Sequence, residues 1–302
     1  MPSVIRDFPT RHTPALDAHA REWEAAGRPA APPARPAATV MLVRDREGSQ
    51  GVAPGVEVFM LLRVATMAFA PNTMVFPGGG VDRRDGAELP WAGPPVHAWA
   101  ARLDSDEQLT REILVAAVRE VFEECGVLLV THVDGSSPDV AALMPARAAL
   151  ESRELSFAEF LREHDLALRA DLLRPLAHWI TPKSEQRRYD TRFFLAELPA
   201  GQDADAETSE VEEAQLYSAS RALSDWTAGK HFLLPPTWTQ LRDLAAYETV
   251  GELFAAKREI KPIEPGTPND DFEGLRFTDA DEYFESMNPR AREIFFRGAG
   301  RD

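Results

Sequence analysis

One amphipathic stretch constrains the fold of this chain more than any other part: residues 110–125, which have helical periodicity and lie between short aliphatic runs. At about 100° per residue, aliphatic side chains fall on one face of this helix and glutamates on the opposite face. The apolar face must be buried against another layer. Because strand-like runs both precede and follow the helix, we expect an α/β fold with a mixed β-sheet.

The predicted strands are β-branched and aliphatic runs bounded by glycine, proline or charged residues. They are TVMLVRD (39–45), VEVFMLLRV (56–64), TMVFP (73–77), VLLVTHV (127–133), LRPLAHWITP (173–182), TRFFLAEL (191–198) and VEEAQLYS (211–218).

The same patterns divide the chain into three parts. Residues 1–36 form an arm that we expect to be loosely ordered, because it ends in a Pro/Ala run. Residues 37–240 form the main domain, with a Pro-, Trp- and Gly-containing loop insert at about 83–104 and a helical insert at about 138–166. Residues 241–302 form a helical extension and tail, whose amphipathic helices could pack on the core or form a homodimer contact.

Charge and composition exclude several classes of function. The chain has 302 residues, a net charge of −16 and a pI of about 4.9. We therefore expect no nucleic acid and no membrane among its partners. The single cysteine, Cys125, excludes an internal disulfide and a multi-cysteine zinc site. No window approaches about 18 uninterrupted apolar residues. We expect a cytoplasmic protein.

The glutamates of the helix are Glu120, Glu123 and Glu124. Like charges four residues apart destabilise a helix by a few tenths of a kcal/mol, so either water or a cation must offset them. A solvated acidic face is one interpretation. The other is a Mg²⁺ or Mn²⁺ site, because such ions take oxygen ligands. Gly126, which ends the helix, and the glycines at 78–80, where carbonyls could approach a metal, favour the second.

These residues carry a family resemblance. The segments PGGGV (77–81) and REVFEECGV (119–127) resemble the Nudix box, G-x5-E-x7-R-E-U-x-E-E-x-G-U, in which U is aliphatic. Arg119 lies 40 positions after Gly79, where the consensus spacing is 14, so the box contains an insertion of 26 residues. Counted back from Arg119, the first-half glutamate falls at Arg111, with Glu112 one position late.

The split box and its flanking segments indicate which branch of the family the chain resembles. With LLRVATMAFAPNTMVFPGG (61–79) upstream and WITPKSEQRRYDTRFFLAEL (179–198) downstream, the chain is similar to the peroxisomal acyl-CoA diphosphatase branch of the Nudix hydrolases and its bacterial relatives. The resemblance covers about residues 37–240. It implies an α/β/α sandwich that hydrolyses CoA or acyl-CoA to 3',5'-ADP and 4'-phosphopantetheine or its acyl form, using Mg²⁺ or Mn²⁺.

By position in the box, the resemblance also implies residue roles. Glu120, Glu123, Glu124 and the Gly79 carbonyl would hold the metal, and Arg119 would orient the carboxylates. Glu120 is the first choice for the general base, and a later loop offers Glu207, Glu210, Glu212 and Glu213 as alternatives.

An anionic chain that binds a phosphorylated substrate must supply local cations. Arg63 is our first candidate, followed by Arg187 and Arg188, and Gly78 is a further candidate for substrate binding. Ordinary solvent-facing arginines at strand ends are the alternative for each.

Other substrates and a non-enzymatic role stay open. The residues of the box recognise only the diphosphate and the metal. The motif is therefore also compatible with ADP-ribose, NADH or dinucleoside polyphosphates as the substrate. A catalytically silent nucleotide sensor is a further alternative. The presence of all three glutamates argues against it.

Overall fold

The computed structural model describes residues 22–23, 25–48, 54–63, 73–205, 211–265, 277 and 279–288. Its strands are β1 (Arg35–Arg46), β2 (Gly55–Arg63), β3 (Thr73–Val75), β4 (Gly78–Gly80), β5 (Trp91–Ala92), β6 (Val130–His132), β7 (Leu166–Arg169), β8 (Leu173–Ile180), β9 (Tyr189–Glu197), β10 (Val211–Ser218), β11 (Phe232–Leu233) and β12 (Pro262–Ile263). Its α-helices are α1 (Val96–Leu103), α2 (Glu107–Cys125), α3 (Val140–Leu143), α4 (Arg147–Glu151), α5 (Phe157–Glu163), α6 (Ala219–Thr227), α7 (Pro235–Leu244), α8 (Val250–Ala255) and α9 (Ala280–Ser286).

The main sheet is mixed and is organised around β1. Along the sheet the strand order is β11-β3-β2-β1-β9-β8-β12, with β10 paired to β2 and β4 paired to β1. β1 runs parallel to β9 and antiparallel to β2 and β4. The register places Ala38 opposite Gly79, so the first residues of β1 hold the glycine strand β4 in place.

The side chains of β1 alternate between two cores, as the period of two in a strand requires. Val40 and Leu42 are fully buried on the side of α2, whereas Met41 and Val43 are fully buried on the side of α6 to α9. Each such side chain contributes about 1.5–3 kcal/mol of burial energy. Helices therefore cover both faces of the sheet, which confirms the predicted α/β/α sandwich.

Helix α2 begins and ends where its sequence provides caps. The Asp106 side chain accepts a hydrogen bond from the backbone N–H of Leu109, which satisfies one free donor at the helix start. The helix ends at Gly126, whose φ of 68° lies in the left-handed region that favours glycine. The predicted helix at residues 110–125 is therefore confirmed and begins three residues earlier than expected.

The helices after β10 complete the second core. Trp226 of α6 and Trp238 of α7 both pack against Tyr283 of α9, with ring centroids 5.1 and 5.5 Å apart. Leu241 and Leu244 of α7 are buried in the same cluster. The proposed domain boundary at residue 240 thus falls inside a helix that belongs to the core. The described helices of the extension pack on the domain, and a homodimer contact stays a prediction.

Both inserts have regular structure. The segment predicted as a loop at 83–104 contains a 3-10 turn (Arg83–Gly86), β5 and α1, and Trp99 of α1 is buried in the first core. β5 joins β6 and β7 in a small second sheet. The predicted helical insert contains α3, α4 and α5. In the described part of the chain, no helix has the length and apolar character needed to span a bilayer.

Candidate active site

A cleft of about 160 Å³ lies between α2, the 3-10 turn after β4 and the helical insert. Its lining contains six carboxylates but only three arginines, so the walls carry an excess of negative charge. The lining residues are Asp82, Arg84, Asp85, Arg119, Glu120, Glu123, Glu124, Leu150, Glu151, Arg153, Leu155, Ser156 and Phe157. All three glutamates predicted as metal ligands are among them.

Arg119 lies at the centre of the carboxylates and is only 11% exposed. Its guanidinium contacts both oxygens of Asp85, at 2.9 and 3.0 Å. Its Nη1 donates to Glu120 Oε1 at 2.7 Å and to Glu123 Oε2 at 2.9 Å, and its Nη2 donates to the Gly80 carbonyl at 3.1 Å. Arg119 is therefore ion-paired with Asp85, Glu120 and Glu123, and its role in orienting the carboxylates stays a prediction.

Asp85 corrects the predicted alignment of the first half of the box. It lies six residues after Gly79, the spacing that the box assigns to its first glutamate, and it is 2% exposed. The prediction at Arg111 or Glu112 was therefore wrong, and Glu112 instead accepts a hydrogen bond from Gln108. The extra 26 residues follow Asp85. The spacing forward from Gly79 was the available signal, but an aspartate takes the place of the glutamate.

The glycine strand β4 brings backbone atoms against the carboxylates, and the Gly79 carbonyl as a metal ligand stays a prediction. The backbone N–H of Gly78 donates to Glu124 Oε2 at 2.8 Å. A Cβ atom at Gly79 would lie 2.5 Å from the Glu120 carboxylate. Such distances leave no room for a side chain, so only glycine allows the bend to approach Glu120 this closely.

The donor set fits a hard divalent cation. Arg119 engages one oxygen of Glu120 and one of Glu123, and the second oxygen of each has no hydrogen bond among the described residues. These oxygens and the Gly79 carbonyl are the ligand type that Mg²⁺ and Mn²⁺ prefer. Within the described residues, no three acidic, histidine or cysteine side chains already meet at one point. Holding an ion would therefore require the glutamates to turn toward it.

Burial changes the proton affinity of these groups. Burial raises the pKa of Glu123 to about 7, although Arg119 opposes the shift. Burial also raises the pKa of Glu120 above its usual value. For Arg119, burial lowers the pKa, but Glu120, Asp85 and Glu123 together outweigh it and raise the pKa. A cation in the cleft would relieve the repulsion between the carboxylates.

The raised pKa of Glu123 predicts a pH-dependent stability in the metal-free protein. Since the folded-state pKa is raised from 4.5 to about 7, its stabilising contribution is fully present below pH 4.5 and is lost as the pH rises through about 7. The expected loss is roughly 3 kcal/mol at most. Calorimetry in EDTA between pH 5 and 8 should show a steeper decline for wild type than for Glu123→Gln. Equal slopes would contradict the prediction.

The arginines predicted to bind substrate do not line this cleft. The Arg188 side chain is buried and donates to the carbonyls of Pro32 and Thr181 and to the Glu264 carboxylate. Its role is to hold the segment before β1 against the segment after β12, which corrects the prediction. Arg187 is exposed. Arg63 ends β2 opposite Val211 of β10.

Among the candidates for the general base, Glu120 is the one whose side chain is described in the cleft. Glu207 and Glu210 lie outside the described residues. Glu212 lies in β10, as does Glu213, whose carboxylate accepts a hydrogen bond from the Tyr217 hydroxyl at 3.2 Å.

Sequence reasoning missed the contribution of the helical insert. Phe160 of α5 stacks on Phe122 of α2 with ring centroids 5.5 Å apart, which brings the insert over the cleft. Arg147 donates to the Glu123 carbonyl at 2.8 Å and pairs with Asp205 at 2.5 Å, so a cation lies at the carboxyl end of α2, where the helix dipole favours it. No periodicity in the insert predicts this docking.

Comparison with known families agrees with this geometry. Residues 95–244 match the family model described as the NUDT19 Nudix domain. The acyl-coenzyme A diphosphatase NUDT19 of Xenopus laevis is 26% identical over 254 residues, which cover 70% of this chain and 66% of that protein. The human protein of the same name is 28% identical over 256 residues, covering 72% and 68%.

Two further relatives extend the comparison. The putative nudix hydrolase 7 of Caenorhabditis elegans is 31% identical over 191 residues, covering 62% of this chain and 55% of that protein. The chain thus spans less than two thirds of the frog and nematode proteins. The crystal structure of a NUDIX hydrolase from Alicyclobacillus acidocaldarius superimposes with a TM-score of 0.58 at 25% identity, covering 74% of this chain and 96% of that one.

Proposed function

Because the chain belongs to the Nudix hydrolase superfamily, we propose that it hydrolyses the diphosphate linkage of CoA or acyl-CoA with the help of Mg²⁺ or Mn²⁺. The products would be 3',5'-ADP and 4'-phosphopantetheine or its acyl form. The observation that carries the diphosphatase chemistry is the close approach of the glycine bend to Glu120 and Glu124. The substrate rests on the relatives named as acyl-CoA diphosphatases.

The electrostatics of the cleft support a metal-dependent reaction. A diphosphate is itself anionic, and the lining has three more carboxylates than arginines. Divalent cations held by Glu120, Glu123, Glu124 and the Gly79 carbonyl would reverse this local field. When bound, such ions neutralise the diphosphate and lower the pKa of a bound water.

The chain's own residues would position the reactants. Arg119 fixes Oε1 of Glu120, so Oε2 is the oxygen that would either hold an ion or, where Glu123, Glu124 and the Gly79 carbonyl hold it, accept a proton from the attacking water. Burial raises the pKa of Glu120 above its usual value, which makes its carboxylate a stronger proton acceptor than an exposed glutamate. The apolar side chains of Leu150, Leu155 and Phe157 form part of the wall and limit the access of bulk water.

Three further residues were predicted to bind substrate: Gly78, Arg63 and Arg187. The N–H of Gly78 is engaged by Glu124, so Gly78 supports a metal ligand better than a substrate. We propose Arg63 and Arg187 as contacts for the part of the substrate that extends beyond the cleft.

The substrate assignment can be tested directly. We expect purified protein with Mg²⁺ to convert CoA and acetyl-CoA to 3',5'-ADP faster than it converts NADH or ADP-ribose, with products resolved by chromatography. EDTA should abolish turnover. A preference for NADH or ADP-ribose would retain the hydrolase chemistry but reject CoA. Binding of nucleotide without turnover would favour the sensor.

A further inference from the structure

Arg153 is the cation of the cleft that the carboxylate network leaves available. It lies in the turn between α4 and α5, and its side chain is 76% exposed. Its nearest acidic atom is Asp82 Oδ2, at 3.9 Å. Among the described residues its guanidinium makes no hydrogen bond. Its charge is therefore free to act on a group that enters the cleft.

The two other arginines of the lining are already committed. Arg119 is saturated by Asp85, Glu120, Glu123 and the Gly80 carbonyl.

Arg84 contacts both carboxylate oxygens of Asp82, at 3.2 and 3.3 Å, and its Nη1 donates to the Arg153 carbonyl at 3.0 Å. The side chain of Arg84 thus holds the backbone of Arg153 and makes no hydrogen bond with the Arg153 side chain.

The backbone at Arg153 is strained for an arginine. Its φ of 62° is left-handed, and its N–H donates to the Leu150 carbonyl at 2.9 Å at the end of α4. Glycine is the usual residue at such a helix end, and α2 uses Gly126 there. Residues held in such conformations by the surrounding structure cluster at binding and catalytic sites. Arg28 has a similar φ away from the cleft, so what distinguishes Arg153 is its position in the lining and its exposed guanidinium, which makes no hydrogen bond among the described residues.

We propose that Arg153 binds a phosphate oxygen of the substrate's diphosphate, on the wall opposite Glu120, Glu123 and Glu124. This inference rests on the proposed function. A guanidinium matches the geometry of two phosphate oxygens and keeps its charge when exposed. The helical insert then contributes directly to substrate binding, because it supplies a cation that, unlike Arg119 of α2, is not held by the carboxylates.

The test compares Arg153→Gly with Arg28→Gly. Glycine relieves the positive φ at both positions, since Arg28 has a φ of 53° and does not line the cleft. We expect Arg153→Gly to raise KM for CoA by about tenfold or more, with little change in kcat and a Tm that is unchanged or higher. Arg28→Gly should leave KM unchanged. Arg153→Lys should restore part of the affinity.

A binding measurement separates this inference from the proposed function. Methylenediphosphonate, a diphosphate analogue that cannot be hydrolysed, is titrated into each protein with Mg²⁺ by calorimetry. Weaker binding to Arg153→Gly than to wild type would support the role of Arg153 even if no substrate is turned over. Equal affinity in the two proteins, or no binding by either, would overturn it even if CoA is hydrolysed.

Discussion

Replacing Glu124 by glutamine is expected to lower kcat for diphosphate hydrolysis by more than about 100-fold while the fold is retained. Glu124 Oε2 accepts the Gly78 N–H at 2.8 Å, and the carbonyl oxygen of a glutamine side chain can accept the same hydrogen bond. The glycine bend therefore stays in place. What the substitution removes is one negative charge, and a neutral amide is a much weaker ligand for Mg²⁺ than a carboxylate.

The matched control is Glu112→Gln, on the same helix. Glu112 contacts Gln108 and does not line the cleft, so its kcat should equal that of wild type. Circular dichroism and thermal melts of both variants check that the fold is intact. A fully active Glu124→Gln would reject Glu124 as a metal ligand, and a loss of activity in Glu112→Gln would reject the assignment of Asp85 to the box.

The 26-residue insertion explains why a broken motif can still form one site. Asp85 and Arg119 are 34 positions apart in sequence, yet Arg119 Nε lies 2.9 Å from Asp85 Oδ1. The inserted chain leaves and returns at nearly the same point, and its helix α1 buries Trp99 in the core beside α2. Closing a longer loop costs little additional entropy, so an insertion with adjoining ends leaves the original contacts intact.

Patterns that are local in sequence predicted most of the fold. Periodicity predicted the helix at residues 110–125 and six strands of the main sheet, β1, β2, β3, β8, β9 and β10, but not β4, β11 or β12, and Gly126 follows from helix-end chemistry. The three glutamates were predicted from a motif in which spacing alone places them on one helical face. Their position beside the glycine strand required the β1–β4 pairing, which no periodicity encodes.

The predictions that failed depend on contacts between distant segments. Arg188 lies at a strand end, where a substrate-binding arginine was expected. Its side chain is instead bound by Pro32 and Glu264, which are both distant from it in sequence. Arg153 lies in a segment predicted only as extra helices, and the Phe122–Phe160 stacking brings that segment to the cleft. The sequence alone does not distinguish a solvent-exposed arginine from one that lines the cleft, because the difference lies in the tertiary contacts.

Alanine substitutions along β4 are expected to separate stability from activity at three adjacent glycines. At Gly79 the new Cβ would meet the Glu120 carboxylate at 2.5 Å, and that carboxylate is the end of a flexible side chain that can move away. Gly79→Ala should therefore destabilise the protein by only about 1 kcal/mol. Because Glu120 must leave its position, kcat should fall by about 100-fold or more.

The neighbouring glycines provide the comparison that makes this result specific. At Gly78 the new Cβ would lie 2.3 Å from the Ala38 backbone oxygen, which cannot yield, so Gly78→Ala should cost about 3 kcal/mol of stability. Gly80 faces open space, so Gly80→Ala should change stability by less than about 0.5 kcal/mol and leave kcat intact. Urea unfolding and steady-state kinetics on the three variants test this order. A Gly79→Ala protein with wild-type kcat would show that Glu120 does not need its place beside the bend.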